Sequence, residues 1–277
     1  MKTKMPSQSG NRLVVLGSRK AGKGRVWLVG AGPGDPELLT IKALKALQAA
    51  QVVVHDGLVS QAILDMAPAS ARRIGVAKRK SRHSYAQDEI NRMLVAFARE
   101  GLEVVRLKGG DPFIFGRGGE ELEACRSAGV ECVVVPGVTA ALAAGASAGG
   151  PLTHRGVAQA VTFVTGHAAS GGEPDLDWAS LAKANQTVVI YMGLSTAAAI
   201  AGRLIGAGRA ASTPALVVEN ASLPNEARIV TTLGALGEAV AGLAGPALLV
   251  VGEAMALAQA SDLAAAAIST TTQAARA

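Results

Sequence analysis

Short apolar runs alternate with amphipathic stretches along the first half of the chain. Residues 25–30 (RVWLVG) and 52–55 (VVVH) are continuous apolar runs of strand length. Between them, Asp35 and Pro36 fit the N-cap and the first position of a helix that continues to about residue 50. A strand, a helix and a second strand in this order predict the opening of a parallel sheet.

The clearest helical pattern lies between residues 84 and 100. Ser84 and Gln87 are spaced as a capping box, and Gly101 stands just past the predicted end. Apolar residues recur on one helical face, at Ile90, Met93, Leu94 and Phe97. The spacing therefore predicts an amphipathic helix that packs on a sheet.

The remaining runs predict an α/β fold with two domains. In the first half, strands at 104–107 and 133–135 flank a helix at about 118–127. A glycine-rich stretch at 145–156 precedes a second series of apolar runs, at 161–164, 187–192, 215–218 and 247–251. We expect a disordered basic arm (1–24), an N-terminal α/β domain (25–145), a C-terminal α/β domain (146–256) and an Ala-rich tail (257–277).

Uneven charge limits what the net charge of +6 can mean. Residues 1–25 hold seven Lys or Arg and no acid, which leaves 20 basic and 21 acidic residues elsewhere. Nucleic acid is therefore not the expected partner. One local group of cations has no acid among it: Arg72, Arg73, Lys78, Arg79, Lys80 and Arg82. It is either a solvated loop or a surface for a ligand with several carboxylates.

Metal, disulfide and membrane chemistry have little support in the sequence. Cys125 and Cys132 match no CxxC pattern, and the four histidines lack acid or Cys neighbours at ligand spacing, so no metal is expected. The longest uncharged run, 132–153, is broken by prolines and glycines, and the start lacks the apolar core of a secretory signal. These observations predict a cytoplasmic protein without a membrane partner.

Two glycine-rich motifs resemble well-known sites in the wrong context. In GAGPGDP the third glycine of a dinucleotide fingerprint would fall on Asp35, and Pro33 removes an N–H that a phosphate needs. The turn instead predicts either close approach of another ligand or a simple strand-to-helix connection. GASAG places Ser147 in a GxSxG pattern, but its Ala-rich surroundings do not favour a nucleophile elbow.

The segment KGGDPFIFGRGGEE, residues 108–121, carries the most chemistry. Gly109 and Gly110 follow a predicted strand, where open α/β sheets bind ligands. The two glycines let the backbone approach a ligand, Asp111 could accept hydrogen bonds from an amine or a ribose, and Arg117 offers a fork for a carboxylate. The alternative is a capped turn with solvated charges.

A series of segments stands in a recognisable order between residues 25 and 255: GAGPGDPELLTIKALKAL, VVVHDGLVS, RHSYAQDEINRML, VVRLKGGDPFIFGRGGEE, VVPGVTAALAA, GPLTHRGVAQAVTFVTGH, VVIYMGLS and PALVVENAS. Together they resemble the tetrapyrrole methylase family, and within it the uroporphyrinogen-III C-methyltransferases. The resemblance implies two α/β domains with S-adenosylmethionine in the cleft between them, and a homodimer. No segment is similar to the dehydrogenase and ferrochelatase module fused to some relatives, so a single-function enzyme is expected.

The resemblance also implies roles for particular residues. Asp56 would be the general base and Lys78 the general acid, while Arg117 and Met192 would face the tetrapyrrole. The methyl donor would contact Pro33, Gly109, Gly110, Asp111, Ile114, Thr139, Ala140, Met192, Ala221 and, more weakly, Ala247. The chain departs from the family pattern at His55, Gly57 and Ala140.

The implied reaction is transfer of methyl groups from S-adenosylmethionine to C2 and C7 of uroporphyrinogen III, giving S-adenosylhomocysteine and precorrin-2 for sirohaem and cobalamin. An electron-rich pyrrole carbon attacks an already activated methyl, so the protein must align the reactants and remove a proton. Three alternatives stay open: another precorrin C-methyltransferase, an RNA ribose methylase, and an adenosylmethionine-binding module without catalysis. The scarcity of aromatic residues, 3% of the chain, argues against the RNA enzyme.

Overall fold

The computed structural model describes residues 24–77, 85–168 and 171–260. Within these ranges ten strands form two five-stranded sheets. The strands are β1 (Arg25–Gly30), β2 (Val52–His55), β3 (Arg72–Gly75), β4 (Glu103–Lys108), β5 (Glu131–Val135), β6 (Ala160–Thr165), β7 (Gln186–Tyr191), β8 (Pro214–Glu219), β9 (Ala227–Thr232) and β10 (Ala247–Val251). The helices are α1 (Ile41–Gln48), α2 (Gln61–Leu64), α3 (Gln87–Arg99), α4 (Gly118–Ser127), α5 (Ala140–Ala148), α6 (Trp178–Leu181), α7 (Ala197–Gly206) and α8 (Leu236–Ala239).

The first sheet is entirely parallel, with strand order β3-β2-β4-β1-β5. Hydrophobic clusters cover both faces of its central strands, which are therefore largely apolar. The strands predicted at 25–30, 52–55, 104–107 and 133–135 are confirmed, each within two residues. The sequence pattern missed β3, an edge strand on which Arg72 and Arg73 are exposed and alternation is lost.

Two predicted helix starts were wrong. Asp35 accepts a hydrogen bond from the Glu37 N–H as expected, but it caps only a short 3-10 turn, Pro36–Leu38. Thr40 is extended and caps α1 through its hydroxyl, so the predicted helix to residue 50 is broken in two. The helix α3 begins at Gln87, with Ala86 at its N-cap, and Glu89 accepts from the Ala86 N–H at 2.7 Å, in place of the predicted box with Gln87.

The second sheet is mixed, with order β6-β7-β10-β8-β9. Only β6 and β7 pair in parallel, and β10 runs antiparallel between β7 and β8. The four apolar runs predicted for this half are confirmed as strands. The sequence missed β9 (ARIVTT), whose half-exposed residues at the sheet edge give no continuous apolar run.

The Ala-rich helix α5 joins the two sheets and packs on the second. Ala141, Ala144 and Ala148 belong to one buried cluster with residues of β7, β8 and β10. The predicted division between residues 145 and 146 falls inside this helix. That division stays a prediction, and the packing favours a boundary before Ala140.

Four predicted features fall wholly or partly outside the described ranges: the arm at 1–24, the cap residue Ser84, the end of the tail, and the cations Lys78, Arg79, Lys80 and Arg82. Residues 257–260 are described, and Gln259 donates its N–H to the Ala148 carbonyl at 2.7 Å. Among the described helices, none is both long and apolar enough to cross a membrane.

Candidate functional site

The turns after β1, β4 and β5 meet at the carboxyl edge of the first sheet. Parallel register pairs Gly30 with Lys108, so both strands end at the same level. Beyond them, Gly32 and Gly110 exchange two backbone hydrogen bonds, of 3.1 and 2.7 Å. A Cβ added to Gly30 would lie 2.5 Å from the Gly137 nitrogen, and one added to Gly137 would overlap the Gly110 carbonyl. The glycines are therefore required for close approach of three backbone segments.

Asp111 fastens this arrangement through both carboxylate oxygens. One accepts from the Phe113 N–H at 2.8 Å, within its own turn. The other accepts from the Gly137 N–H at 3.0 Å, in the turn after β5. The sequence analysis proposed that Asp111 contacts a ligand. In the structure both of its carboxylate oxygens accept hydrogen bonds from backbone N–H groups.

Asp56 has the corresponding position after β2. Its carboxylate accepts the Leu58 N–H at 3.0 Å and the Gly109 N–H at 3.0 Å. A carboxylate held by two backbone donors is fixed in orientation. It therefore stands beside the glycine turn of β4, on the wall of a cleft.

The cleft has a volume of about 860 Å³ and lies between the two sheets. The second sheet presents to it the carboxyl ends of β7 and β8 and the beginning of β10. Every described residue that the sequence predicted for the site lines it: Pro33, Asp56, Gly109, Gly110, Asp111, Ile114, Arg117, Thr139, Ala140, Met192, Ala221 and Ala247. Lys78 lies outside the described residues.

Tyr191 connects the two walls and was missed by the sequence analysis. Its hydroxyl lies 2.6 Å from the Thr139 hydroxyl and accepts from the Ala141 N–H at 3.3 Å. Burial raises the pKa of Tyr191, with the hydrogen bonds to Thr139 and Ala141 partly opposing it. The ring packs against Phe115 and Phe163, with centroids 5.0 and 5.8 Å away. Its signal in the sequence was only its place at the end of an apolar run.

Backbone strain is concentrated at the same cleft. Six non-glycine residues in the described ranges have positive φ, and four of them line the cleft: Phe115, Arg117, Met192 and Asn220. A left-handed conformation costs about 1–2 kcal/mol for a residue with a Cβ. Strain of this kind collects where a site dictates the backbone path.

Arg117 extends from the start of α4 at the rim of the cleft. Its guanidinium makes two hydrogen bonds to the Glu120 carboxylate, both 2.7 Å long. The pair raises the pKa of Arg117 and lowers that of Glu120, but the side chains are 58% and 49% exposed. Solvent therefore screens the attraction, and a ligand carboxylate could compete for the arginine at little cost.

A second charged group is buried under the same turn. Arg106 and Lys108 on β4 are 4% and 3% exposed, and Glu121 on α4 is 0% exposed. Glu121 lies 2.9 Å from Arg106 Nε and 3.0 Å from Lys108 Nζ, and it accepts from the Gln87 side chain at 3.2 Å. Burial, and then Arg106, lowers the pKa of Lys108, and Glu121 partly restores it. The sequence analysis did not single out these residues, because they stand at strand and helix positions that usually face solvent.

The structure also shows where the remaining candidate side chains lie. Ser147 lies within α5 and donates its hydroxyl to the Ala144 carbonyl, so it stands on no nucleophile elbow. His167 and Ser195 line the cleft on the side of the second sheet, 3.0 Å apart. In the part of the chain that the structure describes, no group of three or more His, Cys, Asp or Glu side chains could hold a metal ion.

The arrangement defines an α/β protein with a ligand cleft at the carboxyl ends of parallel strands. The family model described as Tetrapyrrole (Corrin/Porphyrin) Methylases matches residues 25–237. The chain belongs to this family.

Named relatives and solved structures agree with the family. A uroporphyrinogen-III C-methyltransferase of Paracoccus denitrificans is 52% identical over 87% of this chain and 84% of its own length. A sirohaem synthase of Chromobacterium violaceum is 50% identical over 89% of this chain, which spans only 52% of that protein. The Thermus thermophilus uroporphyrin-III C-methyltransferase, crystallised with S-adenosylhomocysteine, has a TM-score of 0.74 and 44% identity over 84% of this chain and 100% of its own.

Proposed function

We propose that this protein is an S-adenosylmethionine-dependent methyltransferase that methylates uroporphyrinogen III at C2 and C7 to give precorrin-2. The observation that carries the proposal is the cleft, in which the glycine turn of β4, the Asp56 carboxylate and Arg117 face the second sheet. The family and the 52% identical relative supply the reaction class. Precorrin-2 would serve sirohaem and cobalamin formation.

The cleft suits the methyl donor in size and in chemistry. Its volume of about 860 Å³ is within the range of small-molecule sites. The proposed contacts are Pro33, Gly109, Gly110, Asp111, Ile114, Thr139, Ala140, Met192, Ala221 and Ala247, most of them small or apolar, which suits a ligand held largely by backbone groups. The donor would supply a methyl group on a sulfonium, which needs no metal for activation.

This chain's own residues align the acceptor and handle the proton. Arg117 would bind a carboxylate of the tetrapyrrole and leave Glu120, while the exposed Met192 side chain packs against its apolar ring edge. Asp56 would accept the proton that leaves after methylation, because two backbone N–H groups aim its carboxylate along the cleft wall. Lys78, the proposed general acid, lies outside the described residues.

The partners of the proposed enzyme are uroporphyrinogen III and a second copy of the chain. The homodimer follows from the sequence resemblance, and light scattering in solution would test it. The cytoplasmic location follows from the sequence pattern, which predicts neither a membrane span nor a secretory signal. Nucleic acid, membrane and metal are not part of the proposal.

The test is incubation of the protein with uroporphyrinogen III and labelled S-adenosylmethionine. The expected product carries two methyl groups and forms together with S-adenosylhomocysteine. If the protein methylates precorrins but not uroporphyrinogen III, it is another precorrin methyltransferase. Binding of S-adenosylmethionine with no turnover on any tetrapyrrole would identify a non-catalytic module and overturn the proposal.

A further inference from the structure

The buried charges beneath the glycine turn of β4 do not balance locally. Arg106 and Lys108 bring two positive charges, whereas Glu121, within 3.0 Å of both, brings one negative charge. All three side chains are more than nine-tenths buried, so water cannot offset the excess. A buried ion pair is tolerated when each charge has a partner, and here one carboxylate is shared.

Asp56 is another acid near Lys108, and it does not complete the balance. Its attraction contributes to raising the pKa of Lys108, but less than Glu121 does. Both Asp56 oxygens already accept backbone N–H groups, from Leu58 and Gly109. Asp56 is therefore stabilised mainly by the backbone rather than by the lysine.

Lys108 and Arg106 both reach the surface of the cleft. The Lys108 stem is covered by the following loop, since a Cβ on Gly116 would lie 3.2 Å from Lys108 Cε. The ammonium carries three N–H donors, and Glu121 is the one hydrogen-bond partner found for it in the described residues. The cation is thus held at a fixed point of the wall with donor capacity left over.

We propose that Lys108, supported by Arg106 and Glu121, forms a carboxylate-binding subsite in the floor of the cleft. The inference rests on the proposed function, because both proposed ligands carry carboxylates: one at the amino-acid end of the methyl donor and several on the tetrapyrrole. Glu121 fixes the lysine and supplies a negative charge opposite the two cations. A ligand carboxylate that accepts from Lys108 would form a charge-assisted hydrogen bond out of contact with water.

The test compares Lys108→Met with Lys108→Arg, which keeps the charge, and with Lys45→Met on the exposed face of α1. Lys108→Met leaves Glu121 paired with Arg106, so the variant is expected to fold, and thermal unfolding checks this. Dissociation constants are measured for three probes: S-adenosylhomocysteine, 5′-methylthioadenosine, which lacks the amino-acid carboxylate, and the unreactive porphyrin uroporphyrin III. None of these measurements depends on turnover, so the subsite can fail while the proposed reaction stands.

In Lys108→Met we expect the dissociation constant of one carboxylate-bearing probe to rise about 10-fold or more. A rise for S-adenosylhomocysteine but not for methylthioadenosine assigns the subsite to the methyl donor. A rise for uroporphyrin III alone assigns it to the tetrapyrrole. Lys108→Arg should retain part of the affinity and Lys45→Met all of it. Unchanged binding of all probes, or an equal loss for methylthioadenosine, overturns the proposal and leaves the cluster a purely structural link between β4 and α4.

Discussion

The two walls of the cleft are built on different physical principles. On the first sheet, parallel strands end at one level, glycines allow three turns to touch, and the Asp56 and Asp111 carboxylates tie those turns together through backbone N–H groups. On the second sheet the strands are mixed in direction, and Met192 and Asn220 hold left-handed conformations at the strand ends. The first wall is rigid and polar, which suits chemistry. The second wall contributes mostly apolar side chains, which suits binding.

The comparison predicts that a change at Asp56 affects turnover more than affinity. Asp56→Asn should lower kcat by about 10²–10⁴-fold, the usual loss when a general base is removed. The dissociation constant of S-adenosylhomocysteine should change less than about fivefold, because the amide oxygen can still accept one of the two backbone N–H groups. Steady-state kinetics and calorimetry measure the two quantities. If kcat is retained in the folded variant, Asp56 is not the proton acceptor.

The contact between turns on the first wall makes Gly137 sensitive to any side chain. Gly137→Ala would push a Cβ into the Gly110 carbonyl, so we expect a loss of about 3 kcal/mol in the free energy of unfolding. Gly119→Ala on α4 is the matched control, since a Cβ there meets nothing within 4 Å and should be neutral or stabilising. Chemical denaturation measures the free energy of unfolding of both variants. Equal stability of the two would show that the turns can move apart.

The first wall could be predicted from sequence because each of its parts has a local signature. A strand followed by two glycines and an Asp places the 109–111 turn without knowledge of the rest of the fold. The motifs also indicated which residues share the cleft, although Asp111 proved to hold the backbone as well. The short edge strands β3 and β9 have no such signature, since half-exposed residues blur the alternation.

The second wall was predicted only in part: the resemblance indicated Met192, Ala221 and Ala247, which line the cleft, but Tyr191 was missed. The hydrogen bond between the Tyr191 and Thr139 hydroxyls joins residues 52 positions apart, and no sequence motif near either residue predicts it. The buried cluster of Arg106, Lys108 and Glu121 was hidden for a related reason. Charged residues in a strand usually indicate an exposed face, and here the helices α3 and α4, which pack together over the first sheet, bury them.

The Tyr191 hydroxyl links the two walls through hydrogen bonds that a substitution can remove. Tyr191→Phe removes the hydroxyl that bonds to Thr139 and to the Ala141 N–H, which should cost about 1 kcal/mol of stability. Thr139→Val should cost a similar amount, and the double variant should lose less than the sum, because both changes remove the same bond. Additive losses in a thermal or denaturant series would show that the two hydroxyls act independently.

The smallest expected effect distinguishes strain from binding on the second wall. Met192 has φ of 56° and a half-exposed side chain in the cleft, so Met192→Gly should relieve left-handed strain. The gain is reduced by the extra freedom of glycine in the unfolded chain, which leaves a net stabilisation of roughly 0.5 kcal/mol. Affinity for S-adenosylhomocysteine should fall at the same time, since the side chain no longer covers the ligand.

Asn185→Gly is the control, because Asn185 also has positive φ, 62°, but lies outside the cleft. Asn185→Gly should leave the affinity for S-adenosylhomocysteine unchanged. If Met192→Gly also leaves it unchanged, the left-handed conformation of Met192 is needed for the turn and not for ligand binding.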